Sequence, residues 1–143
     1  MKKTVLIWLG VSLVGTFISN AANAADLDVS VTDIDLSKGT IELALFDNET
    51  AWKGSGDAVR TARIEVTGDT VSTSFYDLPP GRYAIKLFHD ANSNGKMDTN
   101  SLGLPKEGYG FSGKGGRFGP PKFAKASFEI VDGTDNTVEI RLR

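Results

Sequence analysis

Apolar and polar residues alternate with a period of two in seven short stretches, and no window keeps the roughly 3.6-residue period of a helix. Successive strand side chains point to opposite faces, so each stretch buries one face and wets the other. Leu27, Val29 and Val31 alternate with Asp28, Ser30 and Thr32; Ile41, Leu43 and Leu45 alternate with Thr40, Glu42 and Ala44. Ile64 and Val66, then Val71, Thr73 and Phe75, then Tyr83, Ile85 and Leu87 repeat the pattern. Ala126, Phe128 and Ile130, then Val138, Ile140 and Leu142, complete it. Ser37-Lys38-Gly39, Gly68-Asp69, Leu78-Pro79-Pro80-Gly81 and Asp132 to Asn136 punctuate it as turns. The pattern predicts an all-β domain, a single seven-stranded antiparallel β-sandwich of immunoglobulin-like type, with a small barrel as the alternative. The first two stretches are expected to form an antiparallel hairpin.

The N-terminus carries an address. Met1-Lys2-Lys3 is followed by an apolar run from Val5 to Ile18, too short for the ~20 residues of a bilayer span, and then by Ala22-Asn23-Ala24. Residues 1–24 read as a secretory signal peptide and 25–143 as the β-sandwich domain. A periplasmic or secreted location is expected, with no stable membrane insertion after cleavage; an uncleaved anchor is the alternative. The chain has no Cys, so no disulfide holds it together. A net charge of −2, more negative once Lys2 and Lys3 leave with the leader, and the lack of a basic patch speak against a nucleic-acid partner.

The stretch with chemistry is His89 to Asp98. Asp90, Asn92, Asn94, Gly95 and Asp98 read D-x-N-x-N-G-x-x-D, which places oxygen ligands at the first, third, fifth and ninth positions of an EF-hand-type calcium loop. Alternate residues of a tight loop aim their oxygens at one centre, and Gly95 relieves the sharp bend. Lys96 would contribute its backbone carbonyl. The twelfth position is Ser101 rather than a bidentate Glu, so only Asp90 and Asp98 carry charge unless Glu107 folds back. The expected calcium affinity is weak, on the order of 10⁻⁴–10⁻³ M. An Asn/Asp/Gly turn with no metal is the other reading.

Leu102 to Phe123 is a Gly-rich loop with Tyr109, Phe111, Phe118 and Phe123 as apolar anchors. The aromatics either pin the loop to the end of the sandwich or form a platform for an envelope or extracellular sugar or peptide. Candidate ligand-binding residues are His89, Glu107, Tyr109 and Phe111. Trp52 is expected to cap the core edge, with an exposed binding role as the alternative. Gly108 to Lys114 fits G-x-x-x-x-G-K, but Gly115 replaces the Ser or Thr that would hold magnesium, and Gly115-Gly116 and Pro120-Pro121 preclude the helix that must follow. One His and no Cys supply no nucleophile–base constellation. The favoured expectation is a calcium-stabilised binding or envelope-structural protein rather than an enzyme. A small periplasmic hydrolase acting on glycans or esters through Asp98 and Glu107 is the alternative.

Phe75 to Tyr83, with Leu78-Pro79-Pro80-Gly81-Arg82-Tyr83 at its centre, resembles the strand-turn-strand of prealbumin-like and collagen-adhesin B-type modules. Pro80-Gly81-Arg82-Tyr83-Ala84, His89 to Gly95, Gly103 to Ser112 and Phe118-Gly119-Pro120-Pro121 together resemble a bacterial family of exported proteins, domain of unknown function 2141. That resemblance is sharpest from Pro79 to Phe128 and implies an exported β-rich domain with no particular activity.

Overall fold

The computed structural model describes residues 24–35 and 38–143; the predicted signal peptide lies outside them except for Ala24, as does Ser37 of the first predicted turn. The domain is all-β, as its alternation predicts, but with eight strands: β1 (Ala25–Thr32), β2 (Thr40–Phe46), β3 (Arg60–Glu65), β4 (Val71–Leu78), β5 (Gly81–Asp90), β6 (Tyr109–Phe111), β7 (Phe128–Ile130) and β8 (Asn136–Arg141). Two single-turn helices, α1 (Glu49–Trp52) and α2 (Phe123–Ala126), interrupt them. Among the described residues no helix is long and apolar enough to cross a membrane.

One sheet has the order β4-β1-β8; the other runs β3-β2-β5-β6, with β7 also paired to β5, and neither closes into a barrel. The extra strand, β6, lies inside the stretch expected to be a structureless loop. Three residues with a glycine in the middle give too short an alternation to recognise in sequence. The expected hairpin between β1 and β2 does not form: β1 pairs with β4 and β8, and β2 pairs with β3 and β5. Nor do β4 and β5 pair across Pro79-Pro80, because that turn carries the chain from one sheet to the other. The antiparallel expectation fails at one place, since β1 and β8 run parallel, with Val29 opposite Val138 and Val31 opposite Ile140. Alternation fixes which face of a strand is buried; it carries no information about which neighbour the strand takes.

The inward faces meet in one core. Leu27, Val29 and Val31 of β1 pack with Ile41, Leu43 and Leu45 of β2. Tyr83, Ile85 and Leu87 of β5 join them, and Ile140 closes the cluster from β8. The Tyr83 hydroxyl donates to the Pro79 carbonyl at 2.7 Å, and burial, with Asp47 nearby, pushes its pKa up. A second, smaller cluster forms on the outward face of β2 and β5. Asn48 caps α1 by accepting from the Ala51 N–H at 2.9 Å, and the resulting turn lays Trp52 onto the sheet. Trp52 is 3% exposed, meets Phe46, Phe111 and Phe123 edge-on, and donates from its indole to the Pro121 carbonyl at 2.8 Å. The expectation that it caps a core edge describes its place.

β5 has partners along both edges. One edge takes β2; the other takes β7 over Gly81–Tyr83 and β6 over Lys86–Phe88. Ser112, 1% exposed, fills the gap between them. Its N–H donates to the Ile85 carbonyl at 3.0 Å, its hydroxyl accepts from the Ile85 N–H at 2.7 Å, and that hydroxyl donates to the Ala126 carbonyl at 2.7 Å. Gly113 next to it packs so tightly that a Cβ would fall 2.2 Å from the Lys125 carbonyl oxygen.

Ser112→Ala leaves a buried N–H and a buried carbonyl without these partners, so it should destabilise the fold by about 2–3 kcal/mol. Ser72→Ala, at an exposed position of β4, should stay within about 0.5 kcal/mol. Urea unfolding of both variants checks this, and equal small effects would show that Ser112 does not hold the β5 edge.

Candidate functional site

The candidate calcium loop leaves the end of β5. His89 and Asp90 are its last residues, 5% and 0% exposed. The His89 Nε2 lies 2.7 Å from the Lys38 carbonyl, which can only accept, so that nitrogen carries the proton and donates. His89, a candidate ligand-binding residue in the sequence, is therefore held by this bond at the strand end inside the fold. Directly beneath, Gly39 has φ +78°, and a Cβ there would fall 2.2 Å from the Asp90 carbonyl oxygen. Glycine is required by both the backbone angle and the close approach.

A buried carboxylate needs partners. Those of Asp90 are backbone N–H groups of its own loop: Asn94 donates to Oδ1 at 3.0 Å and Gly95 to Oδ2 at 2.6 Å. Ser93 at φ +57° and Gly95 at φ +76° make the bend that turns those amides inward. The next layer is built from amide side chains. The Asn92 Oδ1 accepts from the Asn94 N–H at 3.1 Å, and the Asn94 Oδ1 accepts from the Lys96 N–H at 2.8 Å. The Nδ2 atoms of Asn92 and Asn94 converge on Asp98, donating to Oδ2 at 2.6 Å and to Oδ1 at 3.0 Å. The tips of residues 92, 94 and 98 thus share one point at the mouth of the loop. The Lys96 side chain belongs to an exposed residue.

Glu107 does fold back. Its Oε1 accepts from the Ala91 N–H and its Oε2 from the Asp98 N–H, both at 3.0 Å, so one carboxylate clasps the two ends of the loop. Both Glu107 oxygens are engaged with backbone amides, and both Asp98 oxygens with Asn side chains. Among the described residues, no three His, Cys, Asp or Glu side chains gather as a metal site, so a cation here would have to take amide oxygens as well as carboxylates.

Beyond Asp98 the chain doubles back. Thr99 bridges Pro105, the Lys106 N–H donates to the Asp98 carbonyl at 2.8 Å, and the Asn100 Oδ1 accepts from the Leu102 and Leu104 N–H groups at 2.9 and 3.0 Å. This excursion forms one wall of an open groove of about 820 Å³ on the outward face of the β3-β2-β5-β6 sheet. Ala44, Phe46, Lys86 and Phe88 lie on its floor strands. Tyr109 and Phe111, half-buried on β6, line one side, and Leu104 and Phe118, exposed, line the loops above. The two candidate aromatics therefore meet in the groove, whereas His89 and Glu107 serve the loop's scaffold.

A family model described as "Uncharacterized protein conserved in bacteria (DUF2141)" matches residues 29–139, from within β1 to within β8. The chain belongs to that family. The residues from Asp90 to Asp98, the groove and Ser112 all fall inside the matched range, and the family's description assigns them no activity. No curated protein and no solved structure matches the chain.

Lys86 is the groove residue that the sequence hides. It reads as an ordinary outward polar position of β5, and nothing local announces that α1 will lay an indole beside it. Its Nζ stands 4.4 Å from the Trp52 ring centroid and 5.1 Å from that of Phe46, and donates to the Trp52 carbonyl. Burial pushes its pKa down from the usual lysine value.

Glu107→Gln leaves one acceptor where the clasp uses two, so one loop end loses its partner. The variant should lose about 1–2 kcal/mol of stability. Its Ala91 or Asp98 amide should exchange at least about tenfold faster, with β1 amides changing only as global stability does. Unchanged exchange at both amides would refute the clasp.

Proposed function

We propose that the chain is an exported β-sandwich binding module whose ligand face is held in shape by a calcium ion in the loop from Asp90 to Asp98. The observation that carries this reading is the convergence of Asn92, Asn94 and Asp98 on one point above the buried Asp90 carboxylate. The donor chemistry fits a hard cation. Each Asp90 oxygen accepts one N–H and keeps a further lone pair, and so do the Asn92 and Asn94 amide oxygens, which a rotation of each side chain would bring toward the ion in place of its Nδ2. Asp90, Asn92, Asn94 and Asp98 would hold the ion with the Lys96 carbonyl. The ion would supply the positive charge that Asp98 now draws from two amide groups.

What the ion would do follows from what the loop touches. Lys106 and Glu107 bond back to residues 91 and 98, and the chain between them carries Leu104 and Pro105 into the groove wall. Fixing the loop fixes the wall. The hydrolase reading loses its support in this geometry, because Glu107 is spent on backbone amides and Asp98 on two side-chain amides.

A ligand that binds only the folded chain stabilises it by mass action. At about 10 mM calcium and a Kd on the order of 10⁻⁴–10⁻³ M, the gain is about 1–3 kcal/mol. That should appear as a rise of roughly 4–10 °C in Tm, reversed by EDTA. Asp98→Asn keeps the shape, removes one charge at the mouth, and should abolish most of the rise. An unchanged wild-type Tm, or an equal rise in Asp98→Asn, would refute the calcium reading.

A further inference from the structure

The groove has a charge imbalance as well as an apolar lining. Glu42, its acidic residue, is already answered: Arg63 binds its Oε1 at 2.5 Å and the Thr40 hydroxyl donates to the same atom at 2.9 Å. Its two cationic residues are not. Among the described residues neither Lys86 nor Arg117 has a carboxylate within ion-pair distance. Lys86 is held on the floor by aromatic faces and one carbonyl, and Arg117 lies at the rim with its guanidinium 5.6 Å from the Phe118 ring centroid. A partly desolvated ammonium with spare N–H donors is a good partner for an anion, because both the charge and the hydrogen bonds gain strength as water is displaced. The rest of the groove asks for carbon. Phe118 is 95% exposed and Leu104 57%, and both line the groove. Such apolar side chains, lining a concavity of about 820 Å³, describe a site of small-molecule size.

We propose that the groove binds a small amphiphile with an apolar body and a single carboxylate, the carboxylate meeting Lys86 on the floor with Arg117 as a second cation at the rim. The apolar body lies between Phe88 and Tyr109 on the sheet side and Leu104 and Phe118 on the loop side. A cationic amphiphile would meet Lys86 unfavourably. A neutral one would leave the ammonium without an anion. The proposal names the ligand of the binding face described above and rests on that face, not on the calcium ion.

Isothermal titration of the purified protein with decanoate, decanol and decyltrimethylammonium tests it, each below its micellar concentration. Decanoate should bind saturably at one site per chain, at least about tenfold tighter than decanol, with the ammonium compound weakest. Lys86→Met preserves the stem that packs on Trp52 and should bring decanoate down to the affinity of decanol. Arg117→Gln, an exposed change, should weaken decanoate alone, and Phe118→Asp should weaken both decanoate and decanol. The proposal is overturned by absent or unsaturable decanoate binding, by decanoate binding no tighter than decanol, or by a decanoate preference that survives loss of both Lys86 and Arg117. If Lys86→Met does not fold, an unaltered decanoate preference in Arg117→Gln is itself contrary. Repeating the titrations with calcium and with EDTA separates the two proposals. Decanoate binding without any calcium effect on Tm would sink only the calcium reading; a calcium effect without decanoate binding would sink only this one.

Discussion

A carboxylate buried at the end of the central strand sets the terms for everything around it. Asp90 is fully enclosed, yet it has no ion-pair partner among the described residues. Leaving such a group without partners would cost several kcal/mol, so the chain must bring donors to it. It does so with its own next turn: the Asn94 and Gly95 amides point back at the two oxygens. That single demand explains why the bend is so tight and why residues 93 and 95 take positive φ. The outer layer of Asn92, Asn94 and Asp98 is then carried into convergence by the same bend. The electrostatics of the loop and the convergence on which the calcium proposal rests have a common origin.

β5 links this end of the molecule to the other. Its inward side chains enter the main core, its outward ones form the groove floor, and its two edges are taken up by β2, β6 and β7. The loop that begins at Asp90 runs on into the groove, through Met97 and the excursion that bears Leu104. Ser112 secures the far edge where no strand can, with one hydroxyl serving as acceptor and donor. The strand is therefore hydrogen-bonded on both edges, while the loop that overhangs the groove rests on a few hydrogen bonds and the Glu107 clasp.

Much of this could be read from residues alone, and the exceptions have physical causes. Period-two alternation located most of the strands and their buried faces, because burial acts on each residue separately. The pairing of β1 with β8, separated by most of the chain, could not be read, because any strand with the right alternation could occupy that edge. The ligand pattern from Asp90 to Asp98 was visible because Asx side chains act locally, on amides two to five residues away. Glu107 was visible only as a conditional, since its role needs the chain to double back. Ser112 and Lys86 were hidden. A serine in a Gly-rich run and a lysine on a strand's outer face are unremarkable until a second element covers them.

The central claim is that the bend at Asp90 receives a calcium ion. Amide NMR spectra recorded while calcium is added to metal-free protein test it most directly. The account predicts saturable shifts confined first to residues 90–98 and 107, with Gly95 prominent among them and a midpoint on the order of 10⁻⁴–10⁻³ M. Spectra that stay unchanged through about 10 mM calcium, or shifts scattered over the acidic surface without saturation, would contradict it.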